Sequence, residues 1–127
     1  MKQILCTESA PAAIGPYSQG VAAGSGQIIA VSGQLPIDCE TGSFAGEDIS
    51  SQTKQSLLNI QAILESHGCT LADVIKTTVF LKDLSEFAQM NEVYSSFFAE
   101  GPPARSTIEV AKLPRDAKVE IEALAVK

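Results

Sequence analysis

Cysteine, histidine and basic residues are all scarce in this 127-residue chain, and each scarcity removes a class of function. The three cysteines, Cys6, Cys39 and Cys69, are odd in number and show no CxxC or Cys/His ligand spacing. Neither a disulfide framework nor a zinc site is expected, and reduced thiols in a cytoplasmic setting are. A single histidine, His67, and the lack of any GxSxG segment leave a serine-type triad without support. Nine basic residues against fifteen acidic ones give a formal net charge of −6, a field that repels a polyphosphate backbone and speaks against nucleic-acid binding. No run of 18 apolar residues occurs and the first eight residues contain no long apolar stretch, so neither a membrane span nor a signal peptide is expected. Gly24-Ser25-Gly26 is too short for a phosphate loop and no GK[ST] follows it. Repeats, low-complexity tracts and interior linkers are also missing. With 45% hydrophobic and 19% charged residues, the chain reads as one compact domain over residues 1–127.

What is present reads as alternating elements. Two short strands flank the turn at 22–26. The second, at 27–33, is apolar and β-branched, and a turn-rich loop at 37–46 follows it. From 47 to 66 the period becomes helical: Ile49, Thr53, Leu57, Ile60 and Leu64 share a face, with Lys54, Gln55, Asn59 and Gln61 turned to water and Gly68 placed to end the helix. His67, near that end, reads as a structural cation at the helix C-terminus. A strand rich in Val, Ile and Thr at 73–82 precedes Asp83 and Glu86, which have capping-box spacing. The stripe Phe87, Met90, Tyr94 and Phe97 then predicts a second helix whose apolar face is core, ended by Gly101-Pro102-Pro103. Strands at 104–111 and 118–126 close the chain. The expected architecture is α+β, a mixed sheet with two helices packed on one face. Two helices cannot cover both faces, so the bare face, carrying Leu124, Val126 and Val74, Thr78 and Phe80 or their alternates, calls for a partner, most economically a second copy.

Few side chains could carry chemistry. Arg105, one of two arginines, opens a strand directly after Pro102-Pro103-Ala104, and its planar fork suits a carboxylate. Glu120 falls on the polar side of an otherwise apolar strand. From the residues alone, an ordinary surface ion pair and a solvated face remain open for these two.

Several segments together resemble the Rid family, also called the YjgF-type family. They are Ala10-Pro11-Ala12-Ala13-Ile14-Gly15-Pro16-Tyr17-Ser18-Gln19-Gly20, Val31-Ser32-Gly33-Gln34-Leu35-Pro36, residues 74–84 (VIKTTVFLKDL), Pro103-Ala104-Arg105-Ser106, residues 109–114 (EVAKLP) and residues 119–123 (VEIEA). They run in family order over nearly the whole chain, and the resemblance is to the RidA-type enamine/imine deaminases. It implies a chorismate-mutase-like subunit with a six-stranded mixed sheet, assembled as a homotrimer with clefts between subunits. It also implies hydrolysis of 2-iminopropanoate and 2-iminobutanoate to 2-oxo acids and ammonia.

By that resemblance Arg105 binds the ligand carboxylate, helped by the backbone at Thr107. Tyr17, Ser32, Gly33 and Glu120 lie across the interface, with Asn91 near the rim. An imine carbon is already electrophilic, so no metal or organic cofactor is called for; Glu120 would hold the attacking water and shuttle a proton to the departing ammonia. The chain departs from the family pattern in having Thr107 where cysteine is common, which leaves that position no nucleophilic part. Its connection at 99–102 is also short and lacks the usual aromatic before the proline, which bears on substrate size. The basic ending after the last strand is reduced to Lys127. The competing reading is a small-carboxylate binding or regulatory protein without turnover. Ribonuclease or translation inhibition, attached to some relatives, is disfavoured by the −6 charge and the single histidine.

Overall fold

In a computed structural model that describes residues 2–127, the strands and two α-helices of the sequence pattern follow in the predicted order, preceded by a further strand at Lys2–Leu5 that the pattern does not give. Strands β1 (Lys2–Leu5) and β2 (Gly20–Ala23) pair antiparallel as a separate ribbon. The four others, β3 (Ile28–Gln34), β4 (Val74–Leu81), β5 (Ala104–Glu109) and β6 (Val119–Val126), form one sheet in the order β3-β6-β4-β5. The six strands are therefore split four and two rather than joined in one sheet. A single parallel bridge from Ser18 to Ala104 links the segment that leads into β2 to the edge strand β5. Strand β6 runs antiparallel to both neighbours, whereas β4 and β5 are parallel and need a crossover helix between them.

Helix α1 (Ile49–Glu65) starts where Asp48 accepts a hydrogen bond from the Ser51 N–H at 2.9 Å, which satisfies one of the free amide groups of its first turn. It ends through Gly68, whose φ of +70° is the left-handed conformation that favours glycine. All five residues predicted for its inner face are buried. Leu57, Ile60 and Leu64 have no exposed surface, each a gain of about 1.5–3 kcal/mol on transfer from water. Asn59, expected to face water, instead donates to the carbonyls of Leu35 and Ile37 at 3.1 and 2.9 Å and fastens the loop after β3. His67 lies past the helix end, with its Nε2 2.6 Å from Gln27 Oε1.

Helix α2 (Phe87–Phe97) is the crossover. Its expected capping box is not formed. Asp83 accepts from the Ser85 N–H and caps a short 3-10 turn at Leu84–Glu86, while the Glu86 carboxylate is drawn away to Lys118 Nζ at 3.2 Å. A reciprocal box forms instead between Thr70 and Asp73, just before β4. Both helices pack on one face of the four-stranded sheet, with Met90 and Tyr94 of α2 lying against α1 and the inward residues Thr77, Val79, Ile121 and Ala123.

The other sheet face has no helix on it. The register places Thr78 with Ser106 and Glu122, and Phe80 with Ile108 and Glu120, on that face. Leu124 and Ile108 there are 40% and 45% exposed. Val126 keeps the expected face with Leu124, although it is buried, whereas Val74 departs from it. A bulge between Val74 and Lys76 breaks the two-residue alternation, so Val74 pairs with Ala125 on the helix side. Among the described residues no helix is long and apolar enough to cross a membrane.

Candidate active site

Two groups of the predicted site residues stand apart in one chain. The first centres on Arg105. Pro102 and Pro103 cannot continue α2, and the chain turns into β5 with Arg105 as its second residue. Arg105 is the register partner of Thr77, which pairs in turn with Ala123, so its side chain lies on the helix face of the sheet. There it meets one stripe of α2. Phe87, Asn91 and Tyr94 stand at the i, i+4, i+7 spacing that shares a helix face. Arg105 Nη1 donates to Asn91 Oδ1 at 2.6 Å, and its Cζ lies 4.8 Å from the centre of the Tyr94 ring and 5.5 Å from that of Phe87.

Tyr17 completes the cage, its ring centre 5.5 Å from Arg105 Cζ. A tight turn over Pro16, with the Tyr17 N–H donating to Gly15 O at 2.7 Å, presents the ring. The Ser18 N–H donates to Pro103 O at 3.1 Å and the Ser18 hydroxyl to Pro102 O, which straps this segment to the start of β5. Tyr17 thus belongs with Arg105 in the same chain and not, as expected, across an interface with Glu120. Thr107, two residues along β5, shares the helix face, and its Oγ1 is buried without a hydrogen-bond partner among the described residues.

The electrostatics of this cage are unusual for an arginine. It is half-buried, and the only ion pairs among the described residues are Lys82–Asp116 and Lys118–Glu86, so no carboxylate neutralises it. Burial pushes its pKa down from the ordinary arginine value, while the neighbouring Tyr94 and Tyr17 push it back up. The ring faces supply the attraction that a counter-ion would otherwise provide, roughly 0.5–2 kcal/mol per well-placed ring. A desolvated, uncompensated guanidinium with part of its fork unoccupied can accept a small carboxylate by charge-assisted hydrogen bonds.

The second group is on the opposite sheet face. Val31 pairs with Ala123 and Gln34 with Ile121, so Ser32 and Gly33 together oppose Glu122 as a β-bulge. The bulge brings the Gly33 backbone against Glu120. A Cβ on Gly33 would overlap Glu120 Oε2 and lie 2.8 Å from its Cδ. Glycine is needed here for lack of a side chain, not for an unusual φ. Beside the bulge, a cavity of about 300 Å³ is lined by Ala30, Ser32, Lys76, Thr78, Glu122 and Leu124 on the bare face. The Glu120 carboxylate makes no hydrogen bond or ion pair among the described residues, and no three His, Cys, Asp or Glu side chains among them are arranged to hold a metal.

Tyr94 and Phe87, which the helical stripe alone assigns to the core, also line the Arg105 cage. The signal that separates them is cross-element: Thr77 and Arg105 sit side by side on β4 and β5, facing the helix that carries both rings. Their other contacts are indeed with the core.

The subunit carries a caged arginine on one sheet face and, on the other, an acid against a glycine bulge. The chain belongs to the family described as Endoribonuclease L-PSP, which it matches over residues 7–127 and which is the Rid or YjgF-type family that its segments resemble. It is 53% identical over its whole length to a 2-iminobutanoate/2-iminopropanoate deaminase of Salmonella typhimurium, covering 99% of that protein. It is likewise 53% identical to a RutC family protein of Pyrococcus horikoshii, covering 100% of this chain and 99% of that one. Among solved structures, Escherichia coli TdcF with bound serine superimposes with a TM-score of 0.76 at 45% identity, covering 98% of each chain.

Proposed function

We propose that this protein hydrolyses small 2-imino acids and their enamine tautomers, such as 2-iminopropanoate and 2-iminobutanoate, to 2-oxo acids and ammonia. The observation that carries the reading is the aromatic-caged Arg105 with no acid partner. The Salmonella relative at 53% identity bears the name of that activity. The site is composite: Arg105, Asn91, Tyr17 and Thr107 come from one copy, and Ser32, Gly33 and Glu120 from a second, in a homotrimer with three such clefts. The bare sheet face, with Leu124, Ile108 and Phe80 on it, supports an assembly that covers it.

Arg105 receives the substrate carboxylate on the part of its fork that Asn91 leaves free, which removes orientational freedom from a molecule of three or four carbons. The imine carbon then faces Glu120 of the second copy. That carboxylate accepts a proton from a water as the water oxygen bonds to the carbon of the protonated imine, whose C=N electron pair passes to nitrogen to give a neutral carbinolamine. Glu120 returns the proton to the nitrogen, the carbon–nitrogen bond breaks to release ammonia, and the hydroxyl becomes the keto oxygen as its proton passes through Glu120 to the ammonia, which leaves as ammonium. Every bond change is met by one water and one carboxylate, so the reaction makes no demand for a metal or an organic cofactor. The family description names an endoribonuclease, but a −6 chain with one histidine offers neither a paired imidazole nor a run of cations for a phosphodiester.

Adding the protein to a pyridoxal-phosphate-dependent threonine or serine dehydratase during turnover should accelerate release of the 2-oxo acid; unchanged release overturns the proposal. The serine bound in the TdcF relative favours a second reading, a binding protein for small carboxylates. Glu120→Gln distinguishes the two: lost turnover with retained affinity for 2-oxobutanoate supports the enzyme, and a wild type that binds but never turns over supports the binder.

A further inference from the structure

We infer that Tyr94, held by Thr77, is a positioning residue that fixes the plane of the Arg105 guanidinium and thereby the direction in which its free fork accepts a carboxylate, an inference that rests on the carboxylate-binding role proposed for Arg105. Tyr94 has no exposed surface and Thr77 only 1%, and their hydroxyls meet at 2.7 Å inside the helix–sheet interface. An apolar side chain would fill this volume without needing a polar partner, so a buried hydroxyl pair costs desolvation that packing alone does not require. What the pair does is fix the ring. The bond ties the far end of the Tyr94 ring to β4, at the residue standing beside Arg105 on the neighbouring strand. Phe98 packs on the same ring, with centroids 4.8 Å apart at 38°. Of the three rings around Arg105, that of Tyr94 is the nearest, and unlike Tyr17 it is carried on a rigid helix.

The ring contact and the Asn91 hydrogen bond act as two constraints on one planar group. Asn91, three residues earlier on α2, accepts from one end of the guanidinium, while the Tyr94 ring lies against its central carbon at 4.8 Å. A planar fork held at its centre and at one end has its remaining N–H groups aimed in one direction. Burial raises the Tyr94 pKa to about 12, so the hydroxyl stays protonated and the hydrogen bond persists through the working pH range.

The test compares wild type with Thr77→Val, Tyr94→Phe, the double variant and Thr77→Ser. It reads 2-oxobutanoate affinity by calorimetry, kcat in the dehydratase-coupled assay, and the Arg Nε–Hε signals in a nitrogen–proton correlation spectrum. The chain has only two arginines, so Arg115 serves as an internal control. Thr77→Val and Tyr94→Phe should each weaken binding about 3- to 10-fold, the size of one net hydrogen bond. The double variant should lose no more than the worse single, as expected for two ends of one interaction. kcat should stay within about twofold because Glu120 is untouched, and Thr77→Ser should restore binding. The Arg105 signal should move in the weakened variants and the Arg115 signal should not. Wild-type affinity with an unmoved Arg105 signal, even alongside a lowered melting temperature, would reduce the pair to a packing role and overturn the inference. If wild type itself neither binds 2-oxobutanoate nor accelerates turnover, the carboxylate reading fails separately, and the Arg105 signal in Thr77→Val decides the positioning claim in the same two directions.

Discussion

Arg105 and Glu120 lie on opposite faces of one four-stranded sheet, Arg105 in register with Thr77 and Ala123 beneath α2, and Glu120 in register with Phe80 on the bare side. No rotamer change within a chain brings them together, so a reaction that uses both must use two copies. Mixing Arg105→Ala and Glu120→Ala subunits under conditions that exchange chains should therefore restore activity that neither variant has alone. In a closed ring where each site takes its arginine from one copy and its acid from the next, random 1:1 mixing leaves about one site in four intact. Recovery near a quarter of wild-type turnover is the expected result, and a mixture as inactive as its components would rule out the shared site.

Gly33→Ala tests the bulge. The added methyl would overlap the Glu120 carboxylate, the flexible end of a half-buried side chain, so the carboxylate moves and the backbone keeps its place. Unfolding free energy should change by less than about 1 kcal/mol, as for a substitution that strains no core packing. The displaced acid should cost kcat on the order of 100-fold, the usual consequence of moving a reacting group by about an ångström. Affinity for 2-oxobutanoate, which depends on Arg105, should be unchanged. Titration calorimetry beside the coupled assay measures both halves of this prediction.

The parts of the molecule that follow from local period are legible in the sequence. The stripe Ile49, Thr53, Leu57, Ile60 and Leu64 is buried as its spacing demands, because helix burial depends on side chains three and four apart and on little else. Polar residues were harder to place. Asn59 has the position of a solvent-facing residue, yet it serves two loop carbonyls, and Gln52, wholly interior, joins Gly46 O to the Lys118 N–H. Periodicity cannot tell a polar side chain that meets water from one that meets an unpaired backbone group. Bulges were invisible for a related reason. One extra residue at Ile75 moves Val74 to the other face, and one at the Ser32–Gly33 pair aims the backbone at Glu120, while alternation is the only signal a strand offers. Arg105 stood out by its rarity, but its cage depends on the register of β4 and β5 and on which face of α2 meets them, relationships of long sequence separation.

The Tyr94 hydroxyl links burial to alkaline stability. Its pKa stands near 12 in the fold, mainly through burial, against about 10 in the unfolded chain. Between those values the folded state retains a proton that the unfolded state has released, so stability is intact below pH 10 and declines as pH rises toward 12. A two-unit difference corresponds to about 2–3 kcal/mol at the upper limit. Tyr94→Phe removes that contribution. Urea unfolding at pH 9 and pH 11 should show a larger loss in wild type than in the variant, and parallel losses would place the alkaline sensitivity elsewhere.

Arg105→Lys addresses what kind of cation the cage is built for. The rings of Tyr17, Phe87 and Tyr94 surround a flat, delocalised group, and Asn91 takes one of its five N–H donors. An ammonium keeps the charge but is more strongly hydrated, cannot stack as a plane and offers no parallel pair of donors to a carboxylate. Charge-assisted hydrogen bonding of this kind is worth about 1.5–3 kcal/mol, so kcat/KM should fall roughly 10- to 100-fold. If charge alone mattered, lysine would retain near-normal kcat/KM. The fall should appear as weaker 2-oxobutanoate binding in the same proportion, since the carboxylate is held alike in substrate and product, and a loss confined to kcat would move Arg105 from the binding of the carboxylate to the chemistry at the imine carbon.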